Sequence, residues 1–381
     1  LNGGITGAGG LVKDGAATTT LTAANTYTGG TTINAGTLAL GAGGSLAATG
    51  GVNLAGAGAA LDLSAATSAQ SIGALSGVAG TNVSLGANAL TLGGTASGTF
   101  SGAIGGSGSL TLAGTGTQTL NGASTYSGGT NLNTGSSVVL GNNTALGTGG
   151  LNVAGTATLD TNASLSVANA VNLANGSTLT LGGSNALALN GGISGAGGLV
   201  KNGPATTTLT GVNTYTGGTT INAGTLAVGA GGSLAATGAV NLANAGAALD
   251  LSTATSAQTV GALSGVTGTI VNLGGNGLTL GGTASGTFSG VIGGAGSLTL
   301  AGTGTQTLTG ANVYTGGTNL NSGGLVLGNS GALGGGALNV GGAATLDTSA
   351  SLSVNNAVNL ATGATLTLGG SNALTLNGGI T

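Results

Sequence analysis

The stretch LVKDGAATTTLTAANTYTGGTTINAGTLALG, residues 11–41, decides the fold of this chain. It joins three short runs of Leu, Ile and Thr through turns that are rich in Gly, Asn and Ala. Each run alternates apolar with small polar residues, which is the period of a β-strand and not of a helix. The phrase returns at residues 199–229 almost letter for letter, and looser versions occupy residues 110–141 and 298–328.

Two nested levels of repetition organise the 381 residues. The opening LNGGI at Leu1 reappears at Leu189 and begins again at Leu376. We therefore divide the chain into a first long unit (residues 1–188), a second long unit (residues 189–375) and the start of a third (residues 376–381). Each long unit contains the organising phrase twice, and its four copies are marked by Tyr27, Tyr126, Tyr215 and Tyr314. Such duplication predicts a repeat protein in which all units form one continuous solenoid.

Short strand signals fill both long units. Runs such as Leu110-Thr111-Leu112 place Leu on one face of a strand and Thr on the other. The all-β fold that suits this pattern is a parallel β-helix, or β-solenoid, with three short strands per coil and their apolar residues turned inward. A coil of roughly 20 residues gives about nine coils in each long unit. A β-sandwich also uses short strands, but it does not explain identity in phase over 188 residues.

The composition excludes several classes of partner. Charged residues make up 2 % of the chain and the net charge is −3, whereas a soluble globular protein has about 25 % charged residues. This sparse charge supports neither a nucleic-acid surface nor an anionic-membrane surface. Cysteine is absent, which excludes disulfides and thiolate metal sites, and no apolar run is long enough to span a membrane as a helix.

The sequence offers no set of residues suited to catalysis, and we expect no enzyme activity, no cofactor and no metal site. His, Glu, Arg and Cys are absent, so the usual general bases and thiolate nucleophiles are missing. Asp62 and Asp160 lie about five coils apart, too far for the roughly 5–10 Å separation that glycoside hydrolysis requires. Asp62 and its counterpart Asp250 could be calcium ligands, but calcium needs about six to eight oxygens, so an outward, solvated carboxylate is favoured.

Three other residue types receive structural interpretations. The tyrosines could stack against sugars, but packing at a fixed corner of the motif is favoured. Phe100 and Phe288 are interpreted as core fillers or as plugs at strand ends. Lys13 and Asp14 are predicted to form an exposed turn pair, which contributes little to stability.

The segment NTYTGGTTINAGTL, residues 25–38, closely resembles the passenger-associated transport repeat of autotransporter proteins. Residues 213–226 repeat it nearly intact, whereas Ser124 replaces the first Asn in the copy between them and Val313 enters the last copy. The residues expected to form the structural repeat motif are Asn25, Tyr27, Gly29, Gly30, Ile33, Asn34, Gly36, Leu38, Asn213, Tyr215, Gly217, Gly218, Ile221, Asn222, Gly224 and Leu226. The resemblance implies a right-handed β-helix that is exported to the surface of a Gram-negative bacterium. It also implies a signal peptide and a translocating domain elsewhere in the full protein.

Three functions follow as hypotheses. We expect an extracellular structural protein that forms a repetitive fibre or shaft and associates with itself end to end or laterally, because nearly uncharged walls of Thr, Ser and Asn lack the usual protection against association. The alternative is the passenger stalk of an adhesin that binds host or surface glycans, with residues 65–82 as the least regular candidate segment. An ice-binding solenoid is the third hypothesis, suggested by irregularly spaced Thr-x-Thr runs such as Thr117-Gln118-Thr119.

Overall fold

The computed structural model describes all 381 residues, and all of its regular elements are β-strands. Contacts divide the chain into two compact units, Leu1–Gly191 and Gly192–Thr381. Each unit is a β-solenoid whose coils pass in turn through a first, a second and a third face. The predicted all-β, parallel β-helical fold is thus confirmed.

The first unit contains nine strands on its first face, seven on its second and six on its third. The first face consists of Leu11–Lys13, Thr31–Ile33, Val52–Leu54, Leu75–Gly77, Gly98–Phe100, Thr117–Leu120, Ser137–Leu140, Thr156–Thr161 and Thr178–Leu181. The second face consists of Thr19–Leu21, Thr37–Leu40, Ala60–Asp62, Asn82–Ser84, Ala103–Gly105, Leu165–Val167 and Leu187–Leu189. The third face consists of Gln70–Ile72, Leu90–Leu92, Leu110–Leu112, Thr130–Leu132, Leu151–Val153 and Val171–Leu173.

The second unit has the same internal order, with nine, seven and seven strands. Its first face consists of Gly198–Lys201, Thr219–Ile221, Val240–Leu242, Leu263–Gly265, Gly286–Phe288, Thr305–Leu308, Gly323–Leu327, Ala343–Thr348 and Thr365–Leu368. The second face consists of Thr207–Leu209, Thr225–Val228, Ala248–Asp250, Ile270–Asn272, Val291–Gly293, Leu352–Val354 and Leu374–Leu376. The third face consists of Ile193–Gly195, Gln258–Val260, Leu278–Leu280, Leu298–Leu300, Thr318–Leu320, Leu338–Val340 and Val358–Leu360.

Neighbouring strands on a face come from successive coils and are parallel. Leu11 pairs with Thr31, 20 residues later, and Val52 pairs with Leu75, 23 residues later. The nine first-face strands of each unit agree with the expected nine coils. Residues 65–82 form no loop outside this pattern, because they contain the strands Gln70–Ile72 and Leu75–Gly77.

The core lies along the inside of each solenoid. Leu90 and Leu92 point inward and are buried, as are their register partners Leu110 and Leu112 in the next coil. The Thr between each pair of leucines points outward and is half-buried. Period-2 alternation therefore stacks leucine on leucine in the interior and hydroxyl on hydroxyl outside.

Candidate functional site

The first residue of the repeat motif connects three successive coils. Asn25 is buried, and its Oδ1 accepts a 2.8 Å hydrogen bond from the backbone N–H of Ile5, 20 residues earlier. Its Nδ2 donates at 2.7 Å to the carbonyl of Ser45, 20 residues later, and at 3.0 Å to that of Ala23. One carboxamide thus satisfies backbone groups both above and below its own coil, at a corner where no strand ladder exists.

The same bridge recurs wherever the motif keeps its asparagine. Asn213 accepts from the N–H of Ile193 at 2.7 Å and donates to Ser233 O at 2.6 Å. Asn312 accepts from the N–H of Ile292 at 2.8 Å and donates to Ala332 O at 2.7 Å. Ser124, at the same position in the remaining copy, keeps the acceptor half through a 3.2 Å bond from Ile104 N. Its shorter side chain has no amide with which to reach the following coil.

The motif tyrosines lie in the core. Tyr27 is 1 % exposed, and its hydroxyl is 2.5 Å from Thr31 Oγ1. The other three tyrosines form the same pair with a threonine four residues later, at 2.5 to 2.6 Å. A buried phenol needs a partner for its hydroxyl, and this threonine supplies it. The structure therefore places the tyrosines in the packing role and leaves no ring face open for sugar stacking.

Burial also keeps these phenols neutral. It raises the pKa of Tyr215 and of Tyr314 to about 12, and the Thr219 and Thr318 hydrogen bonds offset only part of that rise. The pKa values of Tyr27 and Tyr126 are raised for the same reason. Desolvation disfavours the phenolate, so the four tyrosines act as hydrogen-bonding neutral groups at ordinary pH.

The two adjacent glycines of the motif mark the closest approach between coils. A Cβ at Gly29 would lie 2.6 Å from the backbone N of Gly10 in the preceding coil. Gly30 has a φ of +81°, a conformation that side chains disfavour. Gly217 and Gly218 repeat both features, and Gly36 and Gly224 have φ values of +68° and +67°.

The remaining motif residues divide between core and surface. The side chains of Ile33, Leu38, Ile221 and Leu226 are fully buried. Asn34 points outward, and its Nδ2 donates to Asp14 Oδ1 in the preceding coil. Asn222 donates in the same way to Asn202 Oδ1 at 2.6 Å. The motif side chains are used in core packing or in hydrogen bonds between coils.

Both lysines are buried, so the prediction that Lys13 forms an exposed turn pair with Asp14 is wrong. Lys13 is the last residue of the strand Leu11–Lys13 and is buried, and its Nζ donates to Gly15 O and, at 3.0 Å, to Ala35 O. Lys201 is 1 % exposed and donates to the equivalent carbonyls of Gly203 and Ala223. Burial lowers the pKa of Lys201. Corner carbonyls, which a sequence pattern does not reveal, hold these ammonium groups inside.

The two motif copies in each unit occupy different faces. Leu11–Lys13 and Thr31–Ile33 lie on the first face, whereas Leu110–Leu112 and Thr130–Leu132 lie on the third. The 99 residues that separate Tyr27 from Tyr126 are therefore not a whole number of coils. The second unit alternates in the same way, between Gly198–Lys201 on its first face and Leu298–Leu300 on its third. The motif keeps its Tyr–Thr hydrogen bond in both positions.

Outward asparagines form a ladder that sequence reasoning missed. In the first unit Asn131 Nδ2 donates to Thr111 Oγ1 at 3.1 Å, and Asn152 Nδ2 donates to Asn131 Oδ1 at 3.0 Å. In the second unit the same arrangement connects Asn319, Asn339 and Asn359. The signal was present in the LNV and VNL triplets, whose central Asn faces outward. Each amide points toward the preceding coil, so the ladder has a direction.

The carboxylates are not brought together. Asp62 lies on the second face of the first unit, where its Oδ1 accepts from Ser64 N at 2.9 Å. Asp160 lies on the first face and accepts from Thr161 N at 2.6 Å. Asp250 accepts from Ser252 N and from Asn272 Nδ2. No three acidic, His or Cys side chains form a group that could hold a metal ion. The three aspartates instead accept hydrogen bonds from neighbouring residues of their own turn and, for Asp250, from the next coil.

Comparison with known families identifies the motif. The family model of the passenger-associated-transport-repeat matches residues 11–40, 110–136, 199–228 and 298–327. These are the four segments that contain the tyrosine and its threonine partner. No curated protein and no solved structure matches the chain. No helix of the structure has the length and apolar character needed to cross a membrane. The repeats and the β-solenoid together suggest an autotransporter passenger region, a class secreted to the surface of Gram-negative bacteria.

Proposed function

We propose, from the four passenger-associated transport repeats that this chain contains, that it forms a structural fibre or shaft on the outer surface of a Gram-negative bacterium. The proposal rests on the contacts that the motif side chains make in the structure, which all hold one coil to another or fill the core. Asn25 bridges three coils, Tyr27 is buried against Thr31, and Ile33 fills the core. A motif that occurs four times and only binds coil to coil builds length and not a reaction site.

Self-association is supported by the sparse charge of the outer surface. The chain carries only seven charged side chains, and both lysines have their Nζ hydrogen-bonded to backbone carbonyls. Charged residues on exposed sheet surfaces are the common protection against lateral pairing. Outward rows of Thr, Ser and Asn bring no charge repulsion when copies of the chain meet.

The proposed role is non-catalytic. The absence of His, Glu, Arg and Cys from the sequence, and the location of Asp62 and Asp160 on different faces, both support it. Burial raises the pKa of the Tyr126 phenol and keeps its hydroxyl away from solvent. The phenol therefore stays protonated and is a poor general base.

Electron microscopy of the purified chain tests the structural role. We expect elongated particles at low concentration and longer or bundled particles as the concentration rises. Globular particles at every concentration would contradict the proposal. Surface location is tested separately by placing the chain between a signal peptide and a translocating domain in a Gram-negative host. Added protease should then remove the chain from intact cells, and protection from that protease would count against surface exposure.

A glycan-binding stalk is the second candidate, and one groove favours it. The first face of the second unit has a shallow groove of about 540 Å³ whose lining includes Thr303, Thr305, Thr345 and Asp347. Hydroxyls and a single carboxylate suit a neutral, polyhydroxylated ligand. Screening against an array of neutral and anionic glycans tests this, and Asp347→Asn is the variant expected to weaken binding. Equal binding by the variant would remove the groove as the site.

A further inference from the structure

The two long repeats differ on one part of their second face. Ile270, Val291 and Val313 of the second unit stand where the first unit has Asn82, Ala103 and Thr125. All three point outward, with exposed fractions of 51 %, 38 % and 63 %. The inward residues Val271 and Ile292 that lie beside two of them are fully buried. The apolar substitutions therefore add nothing to the core and change only the surface.

These three side chains form a group on the same outer face, which we call the Ile270 patch. Ile270 and Val291 are register partners in adjacent coils of a parallel sheet. Val313 belongs to the following coil, since its backbone N–H donates to Ile292 O at 2.9 Å. A methyl group of Val313 lies 3.3 Å from the position of a Cβ on Gly293, two residues after Val291. The patch thus covers three consecutive coils, roughly 10 Å along the solenoid axis at about 4.8 Å per coil.

We propose that the Ile270 patch docks against the same patch of a second copy of this chain. The inference rests on the proposed self-associating role and names the surface that carries it. Grouped apolar side chains on an otherwise polar surface point to an interaction site, whereas single ones do not. β-Branched side chains at regular spacing on a parallel sheet present rows that an identical surface, related by a two-fold axis, can interleave.

Charge favours a second copy as the occupant. Asp250 is the only charged residue in the strands from Thr207–Leu209 to Val291–Gly293, and its Oδ1 already accepts from Ser252 and Asn272. A cationic partner therefore finds no row of carboxylates here. The same patch on a second copy is apolar as well, so contact between the two patches buries no charged side chain.

The size of the patch predicts a weak dimer. Three partly exposed side chains provide at most a few hundred Å² of apolar surface. A stable interface buries about 800 Å² on each partner. The Ile270 patch is therefore the centre of the contact, and the Thr, Asn and Gly residues around it form a polar rim. We expect reversible association in the micromolar range or weaker.

Sedimentation velocity of the full chain over a range of concentrations tests the proposal. The double variant Ile270→Asn/Val313→Thr gives the second unit the residues that the first unit already carries, so the fold has a built-in precedent for it. We expect association at least about tenfold weaker than in the wild type. The reverse variant, Asn82→Ile/Thr125→Val, creates a second patch and should strengthen association or produce larger species. Circular dichroism of each variant confirms that the β-structure is kept.

Three outcomes would overturn the inference in different ways. If the double variant associates as strongly as the wild type, another face carries self-association, and the proposed fibre role survives without this patch. If the wild type stays monomeric at every concentration, both the proposed patch-to-patch contact and the self-associating role are wrong. The Ile270 patch would then have to bind a different protein with an apolar surface. If labelled double variant binds wild type as tightly as wild type binds itself, the contact is not patch against patch.

Discussion

The side-chain amide of Gln118 donates a 2.9 Å hydrogen bond to the carbonyl oxygen of Leu75, which lies two coils earlier in the chain. The coil between them contributes Gly98, the register partner of Gln118. A Cβ on Gly98 would lie 2.3 Å from Leu75 O and 2.8 Å from Gln118 Oε1. Only glycine at this position therefore leaves room for the hydrogen bond between Gln118 and Leu75. Gln306, Gly286 and Leu263 repeat the arrangement in the second unit.

This hydrogen bond replaces a missing backbone contact between two neighbouring strands of the sheet. The strands Leu75–Gly77 and Gly98–Phe100 share a single register pair, Phe100 with Gly77. Leu75 therefore lacks a ladder partner in the next coil, and the buried carboxamide of Gln118 takes that place. It also accepts from Leu75 N at 3.3 Å, so the side chain acts as a peptide group would.

Gln118→Ala should accordingly destabilise the first unit. The change leaves the buried carbonyl of Leu75 without a donor, and we expect the free energy of unfolding to fall by about 1–3 kcal/mol. Urea unfolding followed by circular dichroism measures it. Thr119→Ala, which removes the outward neighbour, is the matched control and should change stability by less than about 0.5 kcal/mol. Equal effects of the two variants would show that the two-coil hydrogen bond is not needed.

Ser124→Asn should stabilise the protein, because it restores the amide that three motif copies use to reach the following coil. Asn312 donates to Ala332 O at 2.7 Å, and Ala145 is the equivalent residue for position 124. One added buried hydrogen bond predicts a gain of about 0.5–1.5 kcal/mol in urea unfolding. The reciprocal variant Asn312→Ser should lose a similar amount. A gain from both variants, or a loss from both, would contradict the bridging role of the asparagine.

Features set by local alternation could be predicted from the sequence. Leu90 and Leu92 point inward and Thr91 outward because a strand has a period of two, which needs no knowledge of the rest of the chain. The number of coils followed from repeat length, which is equally visible. The packed position of the tyrosines was favoured because a lone aromatic ring in a small-residue chain is a natural core filler, and Tyr27 is buried.

Features that depend on which coils meet could not be predicted. The face on which a motif lies is set by the accumulated lengths of the preceding coils, and these vary from 19 to 23 residues. The burial of Lys13 depends on the carbonyl of Ala35 in the next coil, and that of Gln118 on a glycine one coil away. Such partners are distant in sequence and carry no local pattern. The exposure of Ile270 could not be predicted either, because Ile270 and Val271 are adjacent and either side chain could have faced the core.

Ser177→Ala should raise stability. Ser177 is 2 % exposed, and its Oγ has no hydrogen-bond partner. The second unit carries Ala364 at this position, so alanine fits the turn. Removing an unpaired buried hydroxyl predicts a gain of up to about 1 kcal/mol in thermal or urea unfolding.

Ser136→Ala is the control for this change. Ser136 is equally buried, but its Oγ donates to Asn133 O at 2.7 Å, so its replacement should lower stability by about 0.5–1.5 kcal/mol. Opposite signs for two buried Ser→Ala variants would show that pairing and not burial decides the effect. The same sign for both would refute the assignment of Ser177 as unpaired.

Alkaline pH should unfold the protein through its tyrosines. The pKa values of Tyr215 and Tyr314 are raised by burial from 10.0 to about 12. Between these values the unfolded chain releases the phenolic protons and the folded chain keeps them. Stability is therefore fully present below pH 10 and falls as the pH rises toward 12, by at most about 1.4 kcal/mol per pH unit for each such tyrosine.

Lys201 acts in the opposite direction and in a different window. Burial lowers its pKa below 10.5, so its contribution raises stability as the pH climbs toward 10.5 and is constant above that value. Urea midpoints measured from pH 10.5 to 12 therefore isolate the tyrosines. The double variant Tyr215→Phe/Tyr314→Phe should be less stable at pH 8, because Thr219 and Thr318 lose their partners. Its midpoint should nevertheless fall less steeply across the alkaline window, and an unchanged slope would show that these two phenols ionise without unfolding.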